Sequence, residues 1–229
     1  MAGVNYRLTE SCCGVNPTYR LLDENMRDHF SACSGGLPEA PLIQWAWDNY
    51  GKPGGLLLDV GSHVGSWGIT WASASMNVVA FEPNPIIYQL VNEAGLINKL
   101  TPKRFTVHPL AVSDKEGVAR LTAPGIDGGM ASIVCDFGSA PVNEEVQTTY
   151  LDFFDYDPNV IKIDVEGAEV DVLRGARETI NKHRPVIFFE CWEDERGQRI
   201  SELFDYASKD LAYRVNRTKW PEMWLAIPR

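Results

Sequence analysis

The chain has 229 residues, 45% of them hydrophobic, which suits one domain of ordinary size, or one domain with an extension, around a buried core and argues against a disordered chain. Asp and Glu number 31 against 21 Lys and Arg, a net charge of −10 that repels polyanions and argues against DNA or RNA as the main partner. No stretch approaches the roughly 20 apolar residues that cross a bilayer, and Met1 to Gly14 has no basic start followed by an apolar run; the expectation is a soluble, cytoplasmic protein with no membrane span. The cysteines Cys12, Cys13, Cys33, Cys135 and Cys191 show no metal-ligand spacing, nor do the four histidines, so free thiols in a reducing compartment are expected.

In chain order, residues 1–50 lack a strand pattern and read as a helical extension, with short helices at Leu21–Phe30 and Pro41–Tyr50 and a turn at Gly51-Lys52-Pro53-Gly54-Gly55. From 51 to 229 a second region follows. Its apolar runs Leu56–Val60, Asn77–Phe81, Phe105–His108, Val160–Ile163 and Pro185–Phe189 are continuous, as in strands covered on both faces. Between them Gly65–Ser75, Pro85–Lys99 and Ala168–His183 have helical spacing, so the pattern predicts βαβ units in a doubly wound, mostly parallel sheet. Val118–Thr122, Ser132–Cys135 and Val146–Thr149 read as β structure inserted before the fourth core strand, and Tyr213–Arg217 with Met223–Ile227 as a closing antiparallel pair.

Three motifs sit at strand ends. The first, Asp59-Val60-Gly61-Ser62-His63-Val64-Gly65, joins a strand to a helix through two glycines, which allow a tight turn and close approach of a ligand. Its spacing is not the Gly-x-Gly-x-x-Gly of dinucleotide binders, and its acid Asp59 suits a ligand with an ammonium and a sulfonium. The second, Phe81-Glu82-Pro83-Asn84, puts Glu82 where an acid accepts ribose hydroxyls, 21 residues after Gly61. The third, Lys162-Ile163-Asp164-Val165-Glu166-Gly167-Ala168-Glu169, brings three acids to the end of the fourth strand. Glu169 there reads as an acid favouring a helix dipole, and Asp164 and Glu166 as functional.

These blocks resemble the FkbM-type methyltransferases, as do Leu110-Ala111-Val112-Ser113-Asp114-Lys115-Glu116-Gly117, Thr149-Tyr150-Leu151-Asp152-Phe153-Phe154, Leu173-Arg174-Gly175-Ala176 and Arg184-Pro185-Val186-Ile187-Phe188-Phe189-Glu190. The resemblance covers about residues 55–192 and implies a class I, Rossmann-like fold of seven strands. It further implies methyl transfer from S-adenosylmethionine, usually to a hydroxyl oxygen of a sugar, glycolipid or polyketide-type molecule. Carried onto matching positions, Asp59, Gly61, Ser62 and Gly65 form the cofactor loop, Glu82 and Pro83 hold the ribose, and Ala111 and Val112 line the adenine pocket. Asp164 and Glu166 face the methyl group, Asp164 also serving the cofactor. His63 stands where the family often has Asn and reads as an exposed loop residue.

A hydroxyl is a poor nucleophile, so Asp164 or Glu166 is the expected base. Alternatively Asp164 and Glu190 share a Mg²⁺ ion, and the metal is left open. Trp192 is a further candidate wall of the acceptor pocket. The rival readings are an NAD-dependent dehydrogenase, a methyltransferase acting on nitrogen or nucleic acid, and a non-catalytic cofactor-binding module. Glu82→Ala is expected to remove cofactor binding and leave the fold intact.

Overall fold

The structure, a computed structural model, describes residues 3–126, 129–138, 140–191 and 198–229. The chain divides into two compact units, Met1–Pro109 and Leu110–Arg229.

The first unit opens with an antiparallel pair, β1 (Val4–Arg7) and β2 (Thr18–Leu21), followed by α1 (Glu24–Ala32) and α2 (Ala40–Tyr50). The extension is therefore not purely helical. Four residues per strand are too few to display an alternation, and Tyr19 and Leu21 are buried by contacts distant in sequence. Asn98 fixes β2 in place: its Oδ1 accepts from Thr18 N at 2.9 Å, and its Nδ2 donates to Thr18 O at 2.6 Å. Asp23 caps α1 by accepting from Met26 N at 2.9 Å. Three parallel strands follow, β3 (Leu56–Val60), β4 (Asn77–Phe81) and β5 (Phe105–His108), with β4 in the middle. Between them run α3 (Ser66–Ser73) and α4 (Pro85–Ile97). Leu57, Leu58 and Val60 are fully buried, as the unbroken apolar run predicts.

The second unit contains a three-stranded sheet in the order β6 (Ala111–Val112), β8 (Val142–Thr149), β7 (Gly117–Ala123). This is the expected β insertion, except that within Ser132–Cys135 only Ser132 forms a bridge, to Thr122. β9 (Val160–Ile163) pairs in parallel with β10 (Val186–Glu190). The closing pair, β11 (Tyr213–Arg217) and β12 (Met223–Pro228), is antiparallel, and β12 lies antiparallel against β10. The core pairings are thus mixed: parallel for β3–β4, β4–β5 and β9–β10, antiparallel for β10–β12 and β12–β11. A last helix, α7 (Gln198–Asp205), precedes the closing pair.

The helix expected over 168–183 is two helices, α5 (Glu169–Gly175) and α6 (Arg177–His183). Periodicity continues across the break because both helices bury one face. The break has its cause in a residue distant in sequence: the Asp152 carboxylate accepts from Glu178 N at 2.9 Å and Thr179 N at 2.8 Å, starting a new helix there. Gly175 permits it, since a Cβ at that position would lie 2.1 Å from the carbonyl oxygen of Ser113. Backbone cannot give way as a side chain does. Gly175→Ala is expected to cost about 3 kcal/mol or more in urea denaturation. Gly117→Ala, whose added Cβ meets only Thr148 Oγ1 at 3.5 Å, should change stability little.

Candidate active site

In the first unit the turn after β3 is built by left-handed residues: Gly61 at φ 72°, His63 at φ 48° and Gly65 at φ 84°. Gly65 has a second constraint, because a Cβ there would come within 2.7 Å of Val91 Cγ2. The turn is tied to the neighbouring strand, since Gly61 N and Ser62 N both donate to Phe81 O at 3.0 Å. Glu82, just beyond β4, completes the link. Its Oε2 accepts from His63 N and its Oε1 from Asn84 N, each at 2.8 Å. These two backbone bonds orient the Glu82 carboxylate at the turn. Pro83 and Asn84 then start α4, with Asn84 Oδ1 accepting from Ile86 N at 3.0 Å.

Asp59 stands on β3, one residue before its end. It is fully buried, and its Oδ2 lies against Gly68 of α3, 2.8 Å from where a Cβ would be. His63 is half-buried rather than exposed, and contributes its backbone N–H. A left-handed position tolerates Asn and His better than most residues, which accounts for the exchange between them here.

In the second unit Asp164 and Glu166 follow β9. Lys162, buried on that strand, donates from Nζ to Asp164 Oδ2 at 3.1 Å. Glu166 adopts φ 53° and Gly167 φ 110°, which turns the chain before α5. Burial, then the neighbouring Asp164 and Glu169, push the Glu166 carboxyl up to about 7. Glu169 is only 5% exposed and accepts from Gly167 N at 2.8 Å; burial raises its carboxyl as well. A cavity of about 580 Å³ opens here, with Asp164, Glu166, Glu169 and Glu190 in its lining beside Met130 and Phe137. Ser132, from the inserted segment, donates from Oγ to Glu166 O at 2.7 Å and so steadies the acidic turn.

Asp164 and Glu166, expected from sequence to be functional, line one cavity, and Glu169, read as a helix-dipole acid, stands in the first turn of α5 and lines the same space as well. Its place at the start of a helix concealed that, and the three-residue step from Glu166 was the available signal. Met130, Phe137 and Ser132 lie in the insertion and carried no signal. Ala111 and Val112 are buried on β6, and Ala111 packs with Leu121, Ala123, Val142 and Val146 in the core of the small sheet. Trp192 lies outside the described residues. Among the described residues no cluster of three or more His, Cys, Asp or Glu is arranged to hold a metal ion. The Asp164 carboxylate that a cation would use already has the Lys162 ammonium against it.

The first unit carries groups of the kind that a nucleoside such as that of S-adenosylmethionine needs. The turn lets backbone approach closely, Glu82 is a fixed acceptor, and the buried Ser62 Oγ meets no hydrogen-bond partner among the described residues.

A strand, a glycine turn and an acid at the end of the next strand fit the class I methyltransferase fold. The chain belongs to the FkbM methyltransferase family: the family's profile, Methyltransferase FkbM domain, matches residues 59–215. Hexuronic acid methyltransferase AglP of Haloferax volcanii is 27% identical over 145 residues, covering 58% of this chain and 54% of that protein. The chain therefore spans about half the length of the curated relative it matches. The crystal structure of methyltransferase FkbM from Methylobacillus flagellatus KT matches with a TM-score of 0.54 at 21% identity, covering 76% of this chain and 44% of that one. An S-adenosylmethionine-dependent O-methyltransferase of Thermotoga maritima matches with a TM-score of 0.50 at 13% identity, covering 99% and 78%. At these identities the two structures bear on the fold alone. No helix among the described residues is long and apolar enough to cross a membrane.

Proposed function

We propose that the protein transfers a methyl group from S-adenosylmethionine to a hydroxyl oxygen of a sugar, glycolipid or similar small molecule. When bound, the cofactor supplies an electrophilic methyl carbon with a neutral thioether as leaving group. The chain's task is then to align the acceptor and take its proton. Glu82 and the Gly61–Gly65 turn hold the cofactor, with Ser62 Oγ contributing a hydrogen bond.

Glu166 takes the proton from the acceptor hydroxyl. The observation that carries this is a carboxyl pushed up to about 7 at the edge of a cavity large enough for a small molecule. A base is most effective when its pKa lies near the working pH, where it is ionised often enough and still basic enough to accept a proton. Asp164, paired with Lys162, positions the acceptor rather than removing its proton. No step is assigned to a metal, and chelation is expected to leave turnover unchanged.

The test is incubation of the full chain with methyl-labelled S-adenosylmethionine and panels of sugars, glycolipids and polyketides, with products resolved by mass and NMR. The expected product is a methyl ether. Methyl found on nitrogen or on RNA, or no transfer to any hydroxyl, contradicts the reading.

A further inference from the structure

The cavity in the second unit has a one-sided lining. Four acidic residues, Asp164, Glu166, Glu169 and Glu190, line about 580 Å³ of space, and no lysine or arginine lines it among the described residues. Lys162 lies beneath, answering Asp164 from 3.1 Å. Burial first, and then the neighbouring Asp164 and Glu169, disfavour Glu166 as an anion, while Lys162 favours it. Among the described residues the rest of the lining includes Met130 and Phe137, which offer apolar surface for the C–H face of a sugar ring or for a carbon chain.

The relative from Haloferax volcanii is named for a hexuronic acid, whose carboxylate would meet like charge in such a lining. Like charges brought together in a partly desolvated pocket are strongly disfavoured, and opposite charges are drawn in. The cavity, not the acids, marks the site; the acids decide what enters it. We propose that this cavity selects its acceptor by charge, taking hydroxyl compounds that carry a protonated amine, such as amino sugars, and turning away uronic acids. The inference rests on the methyltransferase reading, and Glu169 and Glu190 are its specificity-determining residues.

Three probes with similar ring hydroxyls separate the cases: the methyl glycosides of glucosamine, glucose and glucuronic acid. Dissociation constants are measured by ligand-observed NMR on the full chain loaded with S-adenosylhomocysteine. The glucosamine glycoside should bind about tenfold or more tighter than the glucuronide, and the gap should shrink as salt is raised to about 0.5 M. Glu190→Gln should narrow the gap, and Glu169→Gln, which keeps an acceptor for Gly167 N, serves as a second variant. The salt series on the unaltered protein needs neither variant to fold. Equal or tighter binding of the glucuronide, a gap indifferent to salt, or no binding of any probe to the loaded protein overturns charge selection while leaving the cofactor reading intact. Failure to load with S-adenosylhomocysteine sinks both.

Discussion

Glu166→Gln is expected to lower turnover by about 10²–10⁴-fold, the usual contribution of a positioned general base. The change keeps the side chain's volume and removes only its ability to accept a proton. Its pH signature distinguishes this from structural damage. Wild-type turnover should rise through pH 7 as Glu166 ionises, with its carboxyl pushed up to about 7, and the residual turnover of the variant should lose that rise. Stability should respond in the opposite sense. Glu166 ordinarily titrates at 4.5 and near 7 in the folded chain, so between those values the native state holds a proton that the unfolded chain has released. Its contribution is fully present below pH 4.5 and is lost as pH rises through about 7, a loss the glutamine variant should not show. Steady-state rates and urea denaturation across pH 4–8 check both. Near wild-type turnover with an unchanged profile would place the base elsewhere, and Asp164→Asn would be the next variant to test.

The second large effect concerns Glu82. Its carboxylate receives two backbone N–H groups, from His63 and Asn84, in a residue only 6% exposed. Glu82→Ala leaves both donors unanswered, at about 1–3 kcal/mol each, so it should weaken the fold as well as abolish cofactor binding. This amends the expectation from sequence that the fold would be untouched. Glu82→Gln is the sharper variant. It retains one carbonyl oxygen but turns an amide N–H₂ toward a backbone donor, so it should cost less stability than alanine and still lose most of the affinity for S-adenosylhomocysteine. Urea denaturation beside calorimetric titration separates the two losses. A Glu82→Gln protein that binds as tightly as wild type would remove Glu82 from the cofactor site.

The parts of this structure that could be read from sequence are those governed by local pattern. Leu56–Val60 and Asn77–Phe81 announced buried parallel strands because neither face meets water, and the glycines of the first turn mark left-handed backbone directly. What escaped depends on contacts between distant residues. The β1–β2 pair is secured by Asn98, 80 positions from Thr18, and no window of sequence displays that. The break at Ala176 has its cause in Asp152, whose motif was legible though its task as a helix cap was not. At the site, Asp59 and Glu82 looked equivalent as acids at strand ends. Only packing shows one sealed behind Gly68 and the other held at the turn.

The central claim, that this chain holds S-adenosylmethionine on the turn after its first core strand, is tested most directly by thermal and calorimetric titration with S-adenosylhomocysteine. A ligand that binds only the native state should raise stability by about 2.7 kcal/mol at a hundredfold excess over its dissociation constant. The melting temperature should climb with the logarithm of ligand concentration, an effect lost in Glu82→Gln. A melting curve that does not move at saturating ligand, with no heat of binding, would contradict it.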